Sequence, residues 1–233
     1  MLSTPKLKEF AKPEASCLAS YALEMLTAIK VEPLQQFFDQ LPVDPYLKGN
    51  YRFRSLSHFK VFDDQLIKLS HRCLFQSKEY NPILGDVVRE YPELDDALIQ
   101  LEDMQKLIWE FFQFCQLCST SSEVAVHQIR TIASLQHVGN PAPEGIHRDG
   151  VDLVGIFSVN RKGIRGAETH LYKDKDGEPV FSKVLNPGEL LVFKDNQYFH
   201  YTSPISAIGT EQGSRDVFVM TCPGLFPKQS RSR

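Results

Sequence analysis

The chain changes its hydrophobic period near residue 120, and that change limits the folds open to it. Before Ser122, apolar residues recur at intervals of three and four. Leu18, Tyr21, Ala22, Met25, Leu26 and Ile29 make one stripe over 13–30, and Leu94, Leu98, Leu101, Met104, Ile108, Phe111, Phe112 and Cys115 make a longer one over 93–118. Both spacings predict amphipathic helices, and Glu93, Asp95 and Asp96 suit the start of the second. Between them, 50–61 alternates aromatic and basic residues, which predicts a strand with one polar face at a sheet edge. After Ser122 the period shortens. The runs 124–132, 151–159, 168–172, 180–185, 189–193, 198–204 and 215–222 predict seven short strands, punctuated by Lys175-Asp-Gly-Glu-Pro179 and Asn186-Pro-Gly188. Two packed antiparallel sheets of the jelly-roll kind follow, in an α+β chain whose helices come mostly from its first half.

With 233 residues, 42% of them hydrophobic, the chain is long enough for one full core. A single domain over 1–233 is expected, with 1–120 as a mainly helical support, 121–226 as the jelly-roll core and 227–233 as a frayed polar tail. Basic (26) and acidic (29) side chains nearly balance and are dispersed, so no footprint for nucleic acid or an acidic membrane appears. No stretch is apolar and long enough to span a bilayer, and the N-terminus lacks an apolar signal core, so a soluble, cytoplasmic protein is expected. The five cysteines include Cys115-Gln-Leu-Cys118, which ends an apolar helix and has no second pair after it. Core packing is the expected role of that pair.

One constellation carries chemistry. His147 and Asp149 stand two apart, so on extended backbone both side chains face one way. His200 follows after roughly four or five predicted strands, enough chain for a jelly-roll circuit to return to the same place. Two imidazoles and one carboxylate on one flank of a metal leave the opposite positions open, the arrangement of non-haem Fe(II) oxygenases. Arg215, on the last predicted strand, would be costly to bury unless it met an acid, and a carboxylate ligand supplies one.

The pattern His147-x-Asp149, His200, Arg215 resembles that of the Fe(II)/2-oxoglutarate-dependent dioxygenases. The segments Val126-His-Gln-Ile-Arg130, Pro143-Glu-Gly-Ile-His-Arg-Asp-Gly150, Gly166-Ala-Glu-Thr-His-Leu-Tyr172 and His200-Tyr-Thr-Ser-Pro-Ile205 are similar to its bacterial branch of free amino-acid hydroxylases, typified by the L-isoleucine 4-hydroxylases. Arg52-Phe-Arg-Ser55 and Tyr80-Asn-Pro-Ile-Leu-Gly85 extend the likeness over most of the chain. The resemblance implies a double-stranded β-helix with helices packed on one sheet. It implies iron on His147, Asp149 and His200, and 2-oxoglutarate on Arg215. Many relatives carry Ser or Thr two residues after that arginine; this chain has Val217, and Thr202 is the candidate to donate the missing hydrogen bond. The implied reaction consumes O₂, hydroxylates an unactivated C–H bond and releases succinate and CO₂.

A free amino acid needs a clamp for its carboxylate, and Arg130 or Arg165 is a candidate, with Arg130 preferred. Glu144 is the candidate for an ammonium group. His127 and His137 are expected at the surface or behind the ligands, His170 and Glu168 in structural positions, and Trp109 as a packing anchor of the long helix. Three readings stay open: hydroxylation of a small zwitterion, the same chemistry on a peptide or natural-product intermediate, and a cupin-like protein that holds metal without turnover. The number of subunits is also open.

Overall fold

The computed structural model describes residues 20–62, 65–209 and 212–224. In chain order the elements are β1 (Tyr21–Met25), α1 (Glu32–Gln35) with a 3-10 turn at Gln36–Phe38, β2 (Arg52–Phe62), β3 (Gln65–Lys68), α2 (Asp96–Gln100) and α3 (Glu102–Cys118). There follow β4 (Glu123–Ser134), β5 (Leu153–Lys162), β6 (Ile164–Gly166), β7 (Glu168–Tyr172), β8 (Pro179–Val184), β9 (Glu189–Lys194), β10 (Phe199–Thr202), β11 (Ile205–Ala207) and β12 (Gln212–Cys222). A seven-stranded sheet runs β1-β9-β5-β12-β4-β2-β3, a three-stranded sheet runs β10-β7-β8, and β11 pairs with β6. This is the expected jelly-roll core.

Strand alternation gives the main sheet two different faces. Its outer face carries Val124, Val126, Phe157, Leu190, Val192, Phe218 and Met220, which pack in one cluster with Met104, Leu107, Ile108, Phe111, Phe112 and Cys115 of α3. Its inner face carries Val154, Ile156, Leu191, Phe193 and Val217, which meet Leu171 of the smaller sheet. The approach of α3 is close: a Cβ on Gly155 would lie 2.6 Å from the Phe111 ring. Cys115 is buried in that interface, where burial and Cys222 push its thiol well above the usual range, and Trp109 packs at its margin. Both residues behave as expected.

Four features differ from expectation. The described part of the first predicted helix is extended: Tyr21–Met25 pairs with β9, Tyr21 facing Phe193 and Met25 facing Glu189. The ladder offered by the free side of β9 outweighs a local helical spacing. Residues 13–19, with Cys17, and the tail 227–233 lie outside the described residues. β2 is not an edge strand, because it hydrogen-bonds β4 on one side and the short β3 on the other. The helix predicted over 93–118 divides at Leu101, whose ψ of 132° is extended, into a five-residue piece and the long α3. Asp95 caps the first piece by accepting the Ala97 N–H at 2.7 Å. The described residues before 120 thus give three strands to the sheet as well as its helical cover.

Replacing Phe111 by Ala should lower the unfolding free energy in urea by about 3–5 kcal/mol. Gly155→Ala alone should also destabilise, by about 1–3 kcal/mol, through overpacking. In the Phe111→Ala background its cost should shrink or vanish, because the ring it meets is gone.

Candidate metal centre

The segment that carries His147 is a connection between β4 and β5, not a strand. It is fastened to β10 by one antiparallel bridge: the His147 N–H donates to the His200 carbonyl at 3.1 Å, and the His200 N–H donates back at 2.8 Å. That exchange sets the two imidazoles side by side, with ring centroids 4.2 Å apart. Asp149 reaches the same side, as its spacing predicted. His147 Nε2 lies 3.8 Å from Asp149 Oδ1, His200 Nε2 lies 3.7 Å from Asp149 Oδ2, and one donor atom of each residue falls within 4.8 Å of the others.

Neighbours orient each of the three. His147 Nδ1 donates to the Gly145 carbonyl at 2.8 Å, which leaves Nε2 with its lone pair toward the centre. Gly145 has φ +77°, a backbone state that favours glycine. Burial holds the His200 imidazole well below its usual pKa and therefore neutral, the form that binds metal. Asp149 Oδ1 accepts from Gln76 Nε2 at 2.8 Å, and Gln76 Oε1 accepts from Arg89 Nη2 at 2.7 Å. Asp195 holds the turn after the ligands. Its carboxylate accepts the N–H groups of Asp149, Gly150 and Val151 at 3.0, 2.7 and 3.2 Å. Burial, with the charge of Asp149, pushes Asp195 up to about 6.

The ligand set faces a cavity of about 90 Å³ between the two sheets. Its floor is the inner face of β2, β4 and β12. Arg215 enters from β12, is 5% exposed, and forms no hydrogen bond or ion pair among the described residues. Burial lowers its pKa to about 10, with Arg161 adding to the effect and Asp216 opposing it. Thr202, also buried, lines the same space, its hydroxyl 3.2 Å from that of Thr169. Two imidazoles and one carboxylate with an open side suit Fe(II). A buried guanidinium without an acid suits a co-substrate that brings one.

Two of the sequence candidates do not belong to this cavity. Arg130 is one residue out of phase with Ile129, which lines it, so its side chain leaves the other face of the sheet. There Nε and Nη2 donate to Asp216 at 2.6 and 2.9 Å and Nη1 donates to Asp39 at 2.6 Å, at the edge of a separate, larger groove. Arg165 is exposed on β6, in the ribbon with β11. Glu144, by contrast, is half-buried on the cavity wall, its carboxylate 3.5 Å from His147 Nε2. His170 lies outside the cavity between Ser182 and Glu168, and His137 is exposed in its loop.

Sequence reasoning missed Arg52, Arg54, Arg89, Gln76 and Asp195. Arg52 and Arg54 had a signal in the polar face of 50–61, but assignment of that strand to an edge hid their destination. His127 is buried on the cavity floor and accepts from Arg54 Nη2 at 2.8 Å.

Known proteins share the family and the fold. The family model described as 2OG-Fe dioxygenase matches residues 35–221. The 3(1)-hydroxy-L-isoleucine 4-dioxygenase of Pantoea ananatis is 26% identical over 137 residues, 56% of this chain, and the match spans only 55% of that relative's length. The L-isoleucine-4-hydroxylase of Bacillus thuringiensis is 24% identical over 74% of this chain and 75% of its own. Among solved structures, a bsmA homologue from Methylobium petroleophilum PM1 superposes with a TM-score of 0.76 at 27% identity, covering 89% of this chain and 90% of its own.

Asp195→Asn replaces an acceptor of three backbone N–H groups by a side chain with half its accepting capacity. Iron affinity, measured by competition with a chelator, should fall roughly 10–100-fold. Arg130→Ala should act elsewhere. It leaves the buried Asp216 without its guanidinium and should cost about 3–5 kcal/mol of stability, while the folded fraction keeps its wild-type KM for every substrate.

Proposed function

Because the chain belongs to the 2OG-Fe dioxygenase family, whose members are Fe(II)- and 2-oxoglutarate-dependent oxygenases, we propose that it hydroxylates an unactivated C–H bond of a free L-amino acid or a similarly small zwitterion. The observation that carries this reading is the convergence of His147, Asp149 and His200 in one small cavity beside a buried Arg215 that meets no acid among the described residues. The activities of the two isoleucine-oxidising relatives favour a free amino acid over a peptide.

In this reading His147, Asp149 and His200 hold the iron. Bound Fe(II) supplies O₂ activation coupled to decarboxylation of 2-oxoglutarate to succinate and CO₂. The protein supplies orientation. Arg215 receives the distal carboxylate of 2-oxoglutarate, and the Thr202 hydroxyl donates to it in place of the side chain that Val217 lacks. Glu144 stands beside the open flank of the ligand set and receives the substrate ammonium. The apolar floor formed by Ile129, Ile156, Val217 and Val219 takes the hydrocarbon part and keeps water from the reacting carbon. Among the described residues no helix is long and apolar enough to cross a membrane, and the described cysteines are free thiols. Both suit an enzyme working on metabolites in the reducing cytoplasm.

A mass-spectrometric screen of the common L-amino acids with Fe(II), ascorbate and 2-oxoglutarate should find at least one that gains a single oxygen with stoichiometric succinate. His147→Ala and Asp149→Ala should abolish succinate formation. Arg215→Ala should raise the KM for 2-oxoglutarate, reflecting about 2–3 kcal/mol of a charge-assisted interaction. Wild-type succinate yield from His147→Ala would overturn the assignment.

A further inference from the structure

The cavity floor holds a second cationic pole. In the register of the main sheet, Arg52 faces Thr131 and Thr131 faces Arg215, so these three form one row across β2, β4 and β12. Arg54, Ile129 and Val217 form the next row. The β2 and β12 poles are therefore two strand spacings apart, roughly 10 Å, with no charge on β4 between them.

The β2 pole contains three guanidinium groups in different states. Arg52 is neutralised: its Nη2 and Nε lie 2.8 and 2.9 Å from Asp44 Oδ2. Arg89 is committed to Gln76, and through it to the ligand Asp149. Arg54 meets no carboxylate among the described residues. Its Nη2 donates to neutral His127, its plane lies 4.6 Å from the centroid of Tyr91, and its Nε is buried without a hydrogen-bond partner. Arg54 is 9% exposed and lines the cavity. An aromatic ring and an imidazole fix its direction without cancelling its charge, and Arg89 beside it raises the local positive potential. A cation so placed recognises an anion that is not part of the protein.

We propose that Arg54 is the clamp for the substrate's carboxylate, with 2-oxoglutarate at the Arg215 pole and the substrate acid at the β2 pole of the same cavity. This rests on the hydroxylase reading above and gives its substrate class a chemical requirement: a free carboxylate, placed so that the ammonium of an α-amino acid turns toward Glu144. A peptide whose α-carboxyl is in amide linkage lacks the group that Arg54 receives. Arg89 is a positioning residue here, tied to Asp149 through Gln76.

The test uses the full chain loaded with Mn(II) and 2-oxoglutarate. Calorimetric titration with each of the twenty common L-amino acids, and with its carboxamide, gives an acid-to-amide affinity ratio. Wild type should bind at least one acid at least about 30-fold more tightly than its amide, the size expected for a charge-assisted hydrogen-bonded contact. In Arg54→Gln that ratio should collapse toward one, with 2-oxoglutarate affinity within about threefold of wild type. Arg54→Lys, which keeps charge but loses the planar fork, should give an intermediate ratio and serves if the glutamine variant does not fold. A wild-type ratio preserved in either folded variant would overturn the assignment. So would a wild-type protein that binds Mn(II) and 2-oxoglutarate but none of the twenty acids. Failure of wild type to bind Mn(II) and 2-oxoglutarate at all would instead reject the oxygenase reading itself.

Discussion

Two backbone hydrogen bonds, exchanged between His147 and His200, are the constraint from which the site follows. They join a loop to a strand of the smaller sheet, and they do so at the two residues whose side chains must converge. Because β10 is paired with β7 along its other side, His200 is already fixed and His147 inherits its place. A second bridge, between Gly139 and Ile205, fastens the same loop eight positions earlier. Asp195 then fixes the loop's exit by gathering three successive N–H groups. An irregular segment held at three points has little freedom left, which lets it place a ligand set as accurately as a strand would.

The main sheet separates stability from chemistry by parity alone. On β12, Asp216, Phe218 and Met220 turn outward, while Arg215, Val217 and Val219 turn inward. Neighbouring charged residues therefore serve different purposes. Asp216 ends in a buried ion pair with Arg130 against the α1 side of the sheet, whereas Arg215 ends in the cavity beside Thr202. A one-residue slip of β12 would exchange these fates and put Ser214 or Asp216 where Arg215 now enters the cavity.

Much of this was legible from the chain. The seven runs after Ser122 correspond to strands, and the metal ligands could be named because their residue types and order are restrictive; Arg215 lines the cavity beside them. The failures have definable causes. β1, β3, β6 and β11 are three to five residues long, too short for a period to show. β1 also carries an accidental helical spacing that its pairing with β9 overrides. Arg130 was preferred as a clamp for its nearness in sequence to the motif, yet strand parity relative to His127, three positions back, places the two on opposite faces. Arg54 was hidden by topology: a polar strand face reads as solvent-exposed until the 42–44 segment is known to pair along its edge and the 74–91 segment to close over its face.

The electrostatics of the cavity explain why such a face survives in the interior. Taking Arg54, Arg89 and Arg215 out of water is unfavourable, and only Glu144 and Asp149 among the cavity residues oppose their charge once Arg52 is matched with Asp44. Apolar replacements of similar volume would suit the empty fold better. A divalent metal adds still more positive charge, so the full set is balanced only when anionic ligands enter. Those ligands bind the native chain and not the unfolded one, and their binding raises stability by mass action. The same unmatched charge that weakens the empty fold thus becomes the driving force for recognition. On the proposed assignment, two poles about two strands apart divide that force between two separate acids, and one narrow cavity tells a co-substrate from a substrate although both present carboxylates.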